Sequence, residues 1–120
     1  MAELPESLKK AVEGAYGKRW RRAYKMFREG HEVNHLAVTR EHVVEVSGVV
    51  DGETGTYACY VDVENSHCTC KDRITRGKIY KLCKHLLLLL LTAYDRKVLT
   101  AEDVSIITER HHIYKDSLNY

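Results

Sequence analysis

The chain contains no long hydrophobic run, no glutamine and a single proline. Its longest apolar stretch, Leu86 to Leu91, falls well short of the ~18 residues that a membrane-spanning helix needs, so no segment is expected to cross a bilayer. The first ten residues, MAELPESLKK, place acids and Pro5 where a secretory signal would need a basic stretch followed by an apolar one, and a cytoplasmic location is expected. No internal repeat or low-complexity linker interrupts the sequence. At 120 residues it has the length of one domain, too short for a multidomain enzyme or a repeat array. With 44% hydrophobic and 30% charged residues it carries too much apolar material to be disordered. Signatures of catalysis are missing as well, with no Gly-rich phosphate loop and no nucleophilic serine or cysteine in a recognisable setting. The chain is therefore expected to be no enzyme and to have no small-molecule substrate.

What is present is a charge pattern. The net charge of +2 hides opposite segments: residues 1–30 hold eight Lys/Arg against four Asp/Glu, residues 31–70 one against seven, residues 71–97 eight against two, and residues 98–120 two against four. Phosphate affinity follows local Lys/Arg density rather than the total, so the two basic blocks suit contact with nucleic acid. Solvated faces that pair with the acidic segment would produce the same pattern.

Pro5 stands where a helix would begin, and Leu8, Ala11, Val12, Ala15, Tyr16, Trp20, Ala23, Tyr24 and Phe27 follow at three- and four-residue intervals. These residues predict a basic amphipathic helix over 5–30, which Gly14 and Gly17 weaken and Gly30 ends. From Val33 the period changes to two, giving three antiparallel strands over 32–64, at about 32–39, 42–50 and 55–64, the last two joined by the turn Asp51-Gly-Glu-Thr-Gly55. Leucines make Cys83 to Tyr94 a helix. Thr100, with Asp103 three residues on, caps a last helix near 101–116 within a C-terminal segment of 100–120. The expectation is a single α+β domain over 1–120, in the order α-βββ-α-α.

Four cysteines in a reducing compartment favour metal ligation or burial over a disulfide framework. Cys68 and Cys70 are two apart on an extended segment and can turn both sulfurs to one side; Cys83 and His85 can converge from the first turn of a helix. Three thiolates and one imidazole suit one tetrahedral Zn(II) per chain, closed and hence structural rather than catalytic. His67 would point the other way from Cys68. Cys59, in mid-strand beside Tyr57 and Val61, reads as core. The remaining histidines, His31, His35, His42, His111 and His112, are scattered, and surface or interface positions are expected for them.

The pattern C-x-C-x(12)-C-x-H across residues 66–94, after a hairpin and before a hydrophobic helix, resembles the SWIM zinc-finger family. The run Arg22-Ala-Tyr-Lys-Met-Phe-Arg-Glu-Gly30 with Val33 is similar to the segment that often precedes that finger. Thr69, Lys71 and Asp72, Arg76-Gly77, and Lys84-His85-Leu86 also resemble its usual residues, so the likeness covers about residues 20–92. Members occur in transposase-like proteins, chromatin remodellers and small partners of recombinase paralogues. The resemblance thus implies a DNA-associated accessory or mediator factor of recombination and repair, on the nucleoid when bound to DNA. The absence of glutamine beside abundant Lys, Arg and Glu points to a thermophilic source and would fit a prokaryotic or archaeal stand-alone finger; a metal-stabilised regulator from a virus or mobile element is a third reading.

On this reading DNA would be held by Lys71, Arg73, Arg76, Lys78 and Lys81 in the loop between the ligand pairs, with Tyr80 stacking on an exposed base, and by Lys18, Arg19, Arg21 and Arg22 on the first helix. The alternative is a pure protein-interaction module, a homodimeric adaptor or partner of a recombinase-like protein, without DNA contact. The leucines bear on that choice, because positions 86–91 cover the whole circumference of a helix. Either the fold encloses them, or Leu86, Leu87, Leu89 and Leu90 form an interface.

Overall fold

The structure, a computed structural model, describes residues 4–70 and 82–117, with side chains to residue 111. Its order is α1 (Glu6–Tyr16), α2 (Lys18–Arg28), β1 (Val33–Thr39), β2 (Glu45–Asp51), β3 (Thr56–Val61), β4 (Ser66–Cys68), α3 (Lys84–Asp95) and α4 (Ala101–Ser117). The class is the expected α+β, and the described helices and sheet follow the anticipated order with two differences.

The first is that the amino-terminal helix is two helices. Gly17 takes φ 55° and ψ −119°, a backbone conformation that L side chains rarely adopt, and it both ends α1 and starts α2. The chain turns there while Val12, Tyr16, Trp20, Ala23 and Met26 all stay in the core. Tyr16 Oη donates a 2.7 Å hydrogen bond to the Thr108 carbonyl of α4, which fixes α1 against the other end of the chain.

The second difference is a fourth strand. The sheet runs β1-β2-β3-β4, all antiparallel. The strand anticipated to residue 64 stops at Val61 because Asp62 Oδ1 accepts from the Glu64 and Asn65 amides at 2.7 and 2.6 Å, closing an Asx-type turn. The chain then returns as β4. Burial alone would raise the Asp62 pKa, but the bonds from Tyr60 Oη and these two amides outweigh it and hold it below the usual value.

One face of the sheet, with Val33, Val46, Val50, Cys59 and Val61, packs on α3. Helix α2 lies along another side of α3, and α4 also touches it. Every residue from Leu86 to Leu91 is buried as a result. The leucine run is thus enclosed, and Leu86, Leu87, Leu89 and Leu90 are not an exposed interface: each is worth ~1.5–3 kcal/mol to the core it sits in.

Candidate metal centre

Strand β4 ends at Cys68, and Cys70 follows two residues on; Cys83 is the extended residue that caps α3, and His85 lies in its first turn. All four side chains are only 1–4% exposed. Their donor atoms lie within 4.8 Å of one another, so the cluster could hold a metal ion. A tetrahedral site with metal–sulfur bonds of ~2.3 Å has sulfurs ~3.8 Å apart, so donors within 4.8 Å of one another stand no more than about 1 Å beyond that spacing. Cys68 Sγ is already 3.9 Å from His85 Nδ1. His67, the rival ligand, is exposed on the other side of β4.

The charge state of the buried sulfurs explains why a cation suits them. The hydrogen bond with Cys59, and then burial, push the Cys68 thiol above its ordinary range; the hydrogen bond with Cys68, and then burial, push Cys83 up to about 11. Without a counter-charge, ionised thiolates here would be buried and uncompensated. A divalent cation held here would displace their protons and supply the missing charge.

Two residues that spacing did not mark shape the centre, and a third, outside the donor set, stands beside it. The Tyr57 ring stacks on His85, with centroids 4.2 Å apart and planes 28° from parallel. Gly52 passes so close that a Cβ there would stand 2.9 Å from His85 Nε2 and 2.7 Å from the Tyr57 ring. This turn glycine therefore has a second duty, leaving room for the imidazole to aim Nδ1 at the sulfurs. Cys59, core as expected, has its sulfur 3.5 Å from Cys68 Sγ. The turn is also tied to the helix by Lys84 Nζ, which donates to Glu53 Oε1 at 3.1 Å.

Lys18, Arg19 and Arg22, from the first turns of α2, line one cavity of about 330 Å³ together with Lys84, Cys70, Cys83 and His85. Arg21 falls on a different face, beside Tyr24, Lys25 and Arg28. Of the residues anticipated to touch DNA, Lys71, Arg73, Arg76, Lys78, Tyr80 and Lys81 lie outside the described residues. His111, anticipated at a surface or interface, is buried instead, its Nε2 2.7 Å from the Asp62 carbonyl. Among the described residues no helix is long and apolar enough to cross a membrane.

Fold and site together define a small α+β chain built around a buried Cys3His cluster. No family model matches the sequence, and neither a curated protein nor a solved structure matches it significantly.

Proposed function

We propose that the chain is a zinc-binding, SWIM-like module, not an enzyme, that associates with DNA. Zinc suits the donor set because three thiolates and an imidazole are soft to borderline ligands that favour tetrahedral geometry, and a full set leaves no open position for catalysis. The observation that carries the DNA reading is the cavity where Lys18, Arg19, Arg22 and Lys84 converge beside the cluster. Its cations suit phosphate oxygens, and metal ligation by Cys83 and His85 would fix one wall of it. The sequence between Cys70 and Cys83, both of which line this cavity, carries a further five Lys/Arg at 71–81. A role in recombination or repair rests on the resemblance to SWIM fingers alone. The protein-adaptor alternative draws no support from the leucine helix, whose leucines are consumed by the core.

The test is fluorescence anisotropy of the zinc-loaded chain on labelled duplex and single-stranded DNA across a salt series. On duplex DNA the logarithm of affinity should fall against that of salt with a slope of about −0.9 per phosphate contact, near −5 if six are made. Replacing Lys18 and Arg22 with Glu should make the slope shallower by roughly one per lost contact. No binding at about 50 mM salt, or a slope near zero, would remove DNA from the reading.

A further inference from the structure

Cys59 stands outside the C-x-C…C-x-H set, yet its sulfur touches that set. It sits directly opposite Cys68 in the β3–β4 ladder. The Asp62 amide donates to the Asn65 carbonyl at 2.9 Å and the Thr69 amide to the Ala58 carbonyl at 3.3 Å. Bonded pairs alternate along an antiparallel ladder, so 62:65, 60:67 and 58:69 are the bonded positions, and 59:68 is a non-hydrogen-bonded pair. At such a pair the Cα atoms stand ~4.5 Å apart, inside the range of roughly 4.4–6.8 Å that a disulfide spans. The sulfurs are 3.5 Å apart and need only close to ~2.05 Å, by side-chain rotation on strands already in register.

We propose that Cys59 is a built-in resolving thiol: two-electron oxidation by a hydroperoxide joins Cys59 to Cys68, and the metal centre loses one of its four ligands. The disulfide needs only the chain's own sulfurs, while the ligand loss rests on the reading that the cluster holds a metal. In the first step a cluster sulfur attacks the peroxide; an S–O bond forms, the O–O bond breaks, and the hydroxide that leaves takes up that thiol's proton as water. A second sulfur then attacks this sulfenic sulfur; an S–S bond forms, the S–O bond breaks, and the departing hydroxide takes up the thiol proton as water. The net change is two thiols and one hydrogen peroxide to one disulfide and two waters.

The cavity lined by Cys70 and Cys83 offers a small peroxide a route to the cluster. Wherever oxidation begins, thiolate attack on a disulfide sulfur can pass the bond among donors held within 4.8 Å. It should come to rest at 59–68 because that pair alone faces across a ladder. Cys68 and Cys70, two residues apart on extended chain, have Cα atoms ~6.7 Å apart, at the limit of what a disulfide spans.

The zinc-loaded chain is treated with a few equivalents of hydrogen peroxide, alkylated, and digested without reduction after glutamate. Cleavage at Glu53 and Glu64 separates Cys59 from Cys68, a second cleavage by trypsin at Lys71 separates both from Cys83, and fragmentation between Cys68 and Cys70 assigns the link. Mass spectrometry should find the two peptides linked through Cys59 and Cys68, with the link reversed by dithiothreitol, while a chromogenic chelator records release of zinc. Cys59→Ala and Cys59→Ser should bind zinc when reduced and release it at least several-fold more slowly than the wild type under peroxide. The same mapping on the zinc-free reduced chain tests the disulfide independently of the metal. The proposal is overturned if Cys59 is fully alkylated while the link joins any two of Cys68, Cys70 and Cys83, or if both variants lose zinc as fast as the wild type.

Discussion

At the scale of single residues, the ligands were legible in the sequence because their chemistry is local. Two residues on a strand, or two at a helix start, turn to one side whatever the rest of the chain does. Gly52 and Tyr57 were not legible as site residues, because their role appears only when the β2–β3 turn swings over the first turn of α3. A Cβ on Gly52 would force the imidazole or the tyrosine ring to move. Gly52→Ala is therefore expected to weaken metal binding by about 10–100-fold, the range typical when a ligand's supporting contacts are lost, as measured by competition with a chelator. A second expectation concerns protons. The hydrogen bond with Cys68, and then burial, push Cys83 up to about 11 from an ordinary 9.0, and Cys68 is raised as well. At neutral pH both thiols are protonated and must give up their protons to the metal. Calorimetry in buffers of different ionisation enthalpy should count two or more protons released per metal at pH 7, and affinity should rise with pH by at least about a hundredfold per unit. Uptake without proton release would contradict this. For the metal-free fold the sign runs the other way: a raised thiol pKa stabilises below the ordinary value near 9 and ceases to do so as pH rises through about 11.

At the scale of elements, periodicity located the helical segments and the first three strands, and local hydrogen-bonding signals set their ends. Thr100 and Asp103 form the reciprocal cap that their spacing implied: Thr100 Oγ1 accepts from the Asp103 amide at 3.1 Å, and Asp103 Oδ2 from the Thr100 amide at 2.9 Å. Arg40 Nη2 adds a 2.9 Å bond to the same carboxylate, linking the cap to the end of β1. Thr100→Ala should cost about 1 kcal/mol in urea unfolding, with the midpoint lowered and the slope unchanged. Strand β4 escaped notice because it is three residues long, too short for a period to register. The turn before it was readable in Asp62-Val-Glu-Asn65, where an Asx side chain can take two amides, but the alternation of Val61 and Val63 suggested unbroken strand. The break at Gly17 was visible only as a weakness of the helix, since glycine in mid-helix does not reveal whether the chain will turn there.

At the scale of the whole molecule, the leucine run shows how a pattern with two readings is decided by packing. Six leucines in sequence leave no polar side, so the helix is either interior or sticky. Here α2, the sheet and α4 close around it. Charge separation likewise finds a spatial form: α2 presents bases on two faces, one at the metal cluster and one around Tyr24. Cys70 and Cys83, with twelve residues between them in sequence, both belong to the cluster, whose donor atoms lie within 4.8 Å of one another. In topological terms the metal would be a clasp on a closed ring. The entropy of closing such a ring grows only with the logarithm of its length, ~0.6 kcal/mol for each doubling. The number of residues inside the clasp is therefore nearly free to vary, and this is where the chain can accept an inserted peptide while the ligands, the sheet and the enclosed helix stay as they are.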